Sequence, residues 1–253
     1  IKEITCKTAL SKSGLEADYA LNPYKGCSHN CRYCYAPFVL REEREWGTFV
    51  DIKRNIPNAL AKELKSKKKG VVRVGSVTDP YQPVEKDYML TRMCLEQLKK
   101  YDYHILIQTK SDLVTRDIDI LKDMDADVGL TITSLDDEFK RTFEPGSPDV
   151  EKRLSALEKL VEEGVNTWVF IGPLIPYKND DKESLEEIAS RLGEIGVNEI
   201  YLDKLNMRKG IWPKFEEVLD ESILEKYHKV FSGEIEYFNE RKEMYKKIGK
   251  TVF

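Results

Sequence analysis

The sequence predicts an α/β protein built as a partial (β/α)6 barrel of parallel strands with a C-terminal extension. Three observations carry that expectation. Short β-rich runs alternate with helical patterns along the chain, which argues for parallel strands joined by right-handed crossovers. The strand–helix units number six, too few to close the eight-stranded barrel. No Gly/Ser-rich linker interrupts the rhythm, so one domain is expected over residues 1–253, with its core at about 18–231 and the extension at about 232–253.

The first strand is expected at about 18–21, just ahead of a cysteine-rich stretch. The next five are VVRVGS (71–76), YHILIQT (103–109), DVGLTIT (127–133), TWVFIGP (167–173) and EIYLDKL (199–205). Each is a short run rich in β-branched and aromatic residues, bounded by turn or polar residues. Helices are expected at 56–66, 91–100, 116–124, 149–163, 182–193 and 215–230. The clearest is 149–163, where Val150, Leu154, Leu157 and Leu160 share one face. Asp149 is placed to cap its start and Gly164 to end it. Cys94 falls on the apolar face of its helix and reads as small core filler. His104 and His228 have no partner pattern and read as structural.

Composition narrows the class. With 41% hydrophobic and 34% charged residues, 253 positions suffice for one large core. No run approaches the roughly 20 apolar residues of a membrane helix, and no signal-peptide pattern opens the chain. A cytoplasmic protein with no membrane partner is the expectation, and there thiols stay reduced. The net charge of −4 lacks the basic excess of a general nucleic-acid binder. The densest basic run, AKELKSKKKG, reads as a solvated helix end.

In parallel βα architectures, polar residues at the C-terminal strand ends gather on one rim. Here that rim would collect Cys27–Cys34, Ser76, Thr78, Asp79, Lys110, Thr131, Gly172 and Asp203. Its densest chemistry is YKGCSHNCRYCYAP, with Cys27, Cys31 and Cys34 in the pattern C-x3-C-x2-C. Such a triplet can be a disulfide remnant, three-quarters of a zinc site or three ligands of an iron–sulfur cluster. Five cysteines, with Cys6 and Cys94 standing alone, do not make a disulfide framework. Zinc lacks an evident fourth ligand beyond His29 and the distant Cys6. A cubane held by three cysteines leaves one iron open to an exogenous ligand.

With an aromatic residue, Tyr33, before the last cysteine, this motif resembles the fingerprint of radical S-adenosylmethionine (SAM) enzymes. From about Asn22 to Asp203 the chain looks like the branch related to spore photoproduct lyase, which reverses a thymine dimer in DNA. GSVTDPYQPVE, QTKS, TFEPGSPDVEKRL and GPLIP carry the likeness onward. NPYKGC, GSVTDPYQP and TRDIDIL lie closer to short prokaryotic members than to the lyase.

The resemblance implies a radical SAM type barrel and an enzyme that cleaves SAM reductively to a 5′-deoxyadenosyl radical for hydrogen abstraction. Cys27, Cys31 and Cys34 would hold a [4Fe–4S] cluster. Thr78 would help hold the methionine group, Lys110 its carboxylate, Thr131 the ribose, and Gly172 and Pro173 the adenine. Glu144 would bond a SAM hydroxyl or pair with Arg153. Tyr33, Tyr35 and Tyr81 are candidate radical relays or aromatics whose packing excludes solvent, and Cys6 is the one spare thiol for hydrogen donation. Ser76 stands where the lyase has its hydrogen-donating cysteine, which puts the lyase reaction in doubt. A flavodoxin or ferredoxin would supply electrons. A nucleic-acid lesion, a peptide and a metabolite stay open as substrates. An electron carrier without SAM chemistry and a zinc-stabilised binding module are the alternatives.

Overall fold

The computed structural model describes residues 1–14, 16–197 and 199–253. Six parallel strands form the expected series: β3 (Tyr19–Leu21), β6 (Val71–Val74), β7 (His104–Thr109), β8 (Ala126–Thr131), β9 (Asn166–Leu174) and β10 (Ile200–Lys204). Each lies within a few residues of its expected run. The main sheet is longer at both ends. The short β2 (Leu10–Lys12) pairs antiparallel with β3, and β11 (Lys250–Thr251) adds a parallel strand beyond β10. The C-terminal extension is therefore part of the sheet. A second sheet joins β1 (Lys2–Ile4), β5 (Asp51–Lys53) and β4 (Tyr24–Lys25), none of which is long enough to leave a period-2 signal.

The helices follow the crossovers: α1 (Ala36–Leu40), α2 (Ile56–Glu63), α3 (Glu85–Tyr88), α4 (Leu90–Leu98), α5 (Ile118–Leu121), α6 (Asp137–Phe143), α7 (Val150–Glu162) and α8 (Lys182–Ile195). After β10 come α9 (Trp212–Glu216), α10 (Glu221–Ser232) and α11 (Tyr237–Ile248). Three local expectations are corrected. The helix at 215–230 is two helices, because Asp220 takes an extended conformation and starts α10 afresh. The helix at 116–124 opens instead as a 3-10 turn, Asp112–Asp117, before α5. Asp149 precedes α7 without capping it; its carboxylate pairs with Lys140.

The two faces of the main sheet differ. Val72, Val74, Ile105, Ile107, Val169 and Ile171 are fully buried with helix residues such as Leu60, Leu95 and Leu157. On the opposite, concave face, register aligns Ser11, Ala20, Arg73, Leu106, Asp127 and Asn166. Arg73, Leu106, Gln108, Asp127 and Phe170 there remain partly exposed. Parallel sheets normally cover both faces; an inner face left partly open is where a partial barrel receives a ligand.

Candidate functional site

The three cysteines lie on the loop between β4 and α1, where Gly26 and Asn30 take positive φ. All three thiols are free; Cys27 and Cys31 are buried and Cys34 half-buried. Two other segments grip this loop. Thr78 Oγ1 donates to the Gly26 carbonyl at 2.6 Å, and Gln82 Nε2 donates to the same oxygen at 3.2 Å. Gln82 Oε1 accepts from the Ser28 N–H at 3.0 Å. From the other side, Gly146 N–H donates to the His29 carbonyl, and Arg32 N–H to the Phe143 carbonyl. Gly146 has to be glycine, since a Cβ would collide with the Ser28 carbonyl. The Tyr35 hydroxyl closes the ring of contacts on the Ser76 carbonyl at 2.6 Å.

Behind the loop lies a buried ionic cluster. Glu144 pairs with Arg153 at 2.6 Å, accepts from Thr133 Oγ1 at 2.7 Å and accepts from the Tyr33 hydroxyl. Lys110 Nζ stands 3.9 Å from Glu144 and 5.4 Å from the Tyr33 ring centre. Burial alone would raise the Glu144 carboxyl. The charges of Arg153 and Lys110, with bonds from Tyr33 and Thr133, hold it at about 2 instead. One carboxylate thus faces two cations, and Lys110 is the loosely held one. Asp79 is likewise held at about 2 against its burial, chiefly by His29, whose Nδ1 is 3.3 Å away, and by Thr109 and the Lys110 N–H.

Burial pushes the Cys31 thiol up to about 12, with Lys110 pulling the other way, and burial likewise raises the Cys27 thiol well above its ordinary value. Burial therefore favours the neutral thiols, and a cationic metal group among them would favour the thiolates. At this loop two buried side-chain nitrogens, His29 Nε2 and Lys214 Nζ, lack a partner among the described residues, and the Trp46 indole N–H reaches only the Cys34 thiol. Trp46 packs against Cys27 and Cys34, and Lys214 acts electrostatically on Cys34. Unpartnered buried donors are rare in folded proteins. Donors beside three thiols fit a group rich in sulfur acceptors, and hydrogen bonds to sulfur are a known lever on iron–sulfur clusters. Among the described residues, no group of three His, Cys, Asp or Glu converges where one metal ion would sit. Three thiolates that each take a different iron of a cubane need not converge.

Lys110, Glu144, Tyr33 and the three cysteines are therefore brought together. Thr131 ends β8 nearby, its carbonyl accepting from Arg153 and its hydroxyl from Gln108. Gly172 and Pro173, joined by a cis peptide, present carbonyls to Thr133 and Asn179. Thr78 spends its hydroxyl proton on the loop backbone. Of the two readings of Glu144, the pairing with Arg153 is the one formed. Two candidates stay apart. Tyr81 is fully buried on the far side of its loop, its hydroxyl near Asp117. Cys6 is half-buried, donating its N–H to Asn55 Oδ1 near Lys53. Gln82, Trp46 and Lys214 escaped the sequence reading. Only Gln82, inside TDPYQP, lay in a stretch that had drawn notice.

Comparison with known proteins agrees with this geometry. The chain matches the radical SAM superfamily over residues 21–192. A protein of Methanocaldococcus jannaschii described as uncharacterised is 37% identical over 217 residues, covering 83% of this chain and 78% of the relative. The spore photoproduct lyase of Clostridium acetobutylicum is 23% identical, covering 81% of this chain and 58% of the lyase. Among solved structures, a spore photoproduct lyase complexed with dinucleoside spore photoproduct superposes with a TM-score of 0.70 at 18% identity, covering 87% of this chain and 67% of the other. That likeness establishes the fold.

Proposed function

The chain belongs to the radical SAM superfamily, and on that premise we propose an enzyme in which Cys27, Cys31 and Cys34 hold a [4Fe–4S] cluster beside a SAM site. The carrying observation is the gripped loop itself: three free thiols, two of them buried, with unpartnered donors set around them. When bound, the cluster and SAM supply reductive cleavage of SAM to methionine and a 5′-deoxyadenosyl radical able to abstract hydrogen.

The chain's residues bind and orient. Lys110, loosely held by Glu144, offers its charge to the methionine carboxylate. Thr78 and Gln82 fix the loop rather than touch the ligand, and Thr131 and the Gly172–Pro173 backbone line the ribose and adenine side. Tyr33, bonded to Glu144, seals the loop from water. Electrons come from a low-potential flavodoxin or ferredoxin. Ser76 offers no thiol, and a serine O–H is a far poorer hydrogen-atom donor, so the reaction differs from thymine-dimer repair even if the substrate is a nucleic-acid lesion.

The test is anaerobic. Protein reconstituted with iron and sulfide, reduced with dithionite and given SAM is expected to form 5′-deoxyadenosine, detected by mass spectrometry, while Cys31→Ala forms none. A cubane spectrum with no product, even with candidate substrates present, would favour electron transfer. Stoichiometric zinc with no cluster would sink the reading.

A further inference from the structure

A cleft of about 400 Å³ lies beside the cysteine loop but is not built by it. It runs over the concave face at the β2–β3 edge, touching Ser11, Ala20 and Asn22, and reaches Tyr35 and Ser76. Tyr35 directly follows Cys34, so whatever fills this space sits next to the loop. The volume falls in the range of small-molecule sites.

Its lining is cationic: Lys12, Lys25 and Lys53 line it, with no carboxylate among the described lining residues, although Glu16 acts on Arg73 close by. Lys25 is paired with Glu42 at 2.6 Å. Lys53 is not paired: its Nζ donates to the Asn22 carbonyl at 2.9 Å, and no ion pair to it or to Lys12 forms among the described residues. Burial, and Lys25 nearby, work against the Lys53 charge. Arg73, opposite Ala20 in register, adds a guanidinium that bonds Gln108 and lies near Tyr35. Partly buried cations without carboxylate partners are costly unless an anion completes them.

The mouth is also apolar. Tyr35 and Val39, two of the few large hydrophobic side chains left exposed, sit on its edge at 42% and 54% exposure, with Leu40 and Val77 beside them. One wall therefore suits an anion and the other a flat or branched apolar body.

We propose that this cavity binds the substrate, and that the substrate is a small phosphate monoester whose phosphate sits among Lys53, Lys12 and Lys25 and whose body rests on Tyr35 and Val39. A monoester carries a charge of about −1.5 to −2 and three acceptor oxygens. That matches two unpaired ammoniums better than a carboxylate or a singly charged diester does. Its place as substrate site rests on the radical SAM reading; its binding of phosphate does not.

The test is calorimetry on the full chain after cluster reconstitution, with phenyl phosphate as probe and phenylacetate, diphenyl phosphate and benzyl alcohol beside it. Phenyl phosphate is expected to bind about tenfold tighter than any of the three, with affinity falling as salt rises. Lys53→Gln is expected to weaken it about tenfold, and Lys12→Gln, on the exposed rim, about threefold. Lys12→Gln keeps the test decisive should Lys53→Gln fail to fold. Equal binding of all four probes, a preference for the diester, or unchanged affinity in both variants would overturn the proposal. Formation of 5′-deoxyadenosine is scored separately. SAM cleavage without phosphate binding removes this inference alone, whereas phosphate binding without SAM cleavage leaves the cavity and removes the radical reading.

Discussion

Two buried ionic clusters flank the cysteine loop, and they are built to different ends. Around Glu85, Arg116 pairs with both Glu85 and Asp117 and the Arg92 guanidinium with Asp117, while the Tyr24 hydroxyl and the Thr91 and Arg92 backbone N–H groups donate to Glu85. The buried Tyr81 hydroxyl beside Asp117 lacks a partner among the described residues. Every charge there has a partner within the cluster. It fixes α3, α4 and the 3-10 turn, and so braces the segment that carries Thr78 and Gln82. Around Glu144 the same ingredients stop short of closure: Lys110 is held only at 3.9 Å, and His29 Nε2 nearby on the cysteine loop has no partner. The difference lies in the cation: Arg116 and Arg92 are bonded directly to carboxylates, whereas Lys110 is held loosely enough to meet a ligand.

The largest expected effect tests that contrast directly. Glu144→Leu strands the charge of Arg153, which has no exposed surface, while Glu85→Leu leaves Arg116 its pair with Asp117 at 2.7 Å and a side chain that is 22% exposed. Breaking a buried pair costs about 3–5 kcal/mol, and Glu144→Leu should fall at the upper end because Arg153 cannot reach water. Urea unfolding measures both. Folded Glu85→Leu is expected to load iron and cleave SAM like the wild type, and Glu144→Leu to lose SAM cleavage. Equal loss in both variants would erase the distinction between the clusters.

A smaller effect sharpens the contrast. Lys110→Met removes the loosely held cation, so stability should change by less than about 1 kcal/mol. SAM binding to the reconstituted protein should weaken roughly ten- to a hundredfold, the worth of one charge-assisted bond of about 1.5–3 kcal/mol. Calorimetric titration with SAM decides it; an unchanged dissociation constant would return Lys110 to a structural role.

The same contrast explains what the sequence made legible. The parallel strands could be read because each is a run of β-branched residues between turns, and the cysteine loop because three ligands stand within eight residues. Rim positions such as Lys110 followed from topology, whereas Glu144 was singled out by the family resemblance of its FEPGSP stretch. Partners set by long-range packing left no local trace. Trp46 and Lys214 lie far apart in sequence and meet at Cys34 only in the fold. Strands of two or three residues, such as β4 and β11, exist because a neighbour pairs with them and carry no period of their own.

The smallest effect concerns redundancy inside the Glu144 cluster. Ser147 Oγ donates to the Glu144 carbonyl at 2.8 Å and accepts from Arg153 Nη2. Ser147→Ala removes both bonds, yet Arg153 keeps Glu144 at 2.6 Å, the Pro148 carbonyl at 3.0 Å and the Thr131 carbonyl at 3.2 Å. With the guanidinium still satisfied, the loss should be about 1 kcal/mol, the net worth of an ordinary hydrogen bond. SAM cleavage should be unchanged, because neither Lys110 nor the cysteine loop touches Ser147. A loss of about 3 kcal/mol or more in urea unfolding would mean that the arginine is not held redundantly. The Glu144 cluster would then be as tightly interlocked as the one around Glu85, and its loose lysine would no longer mark a place prepared for a ligand.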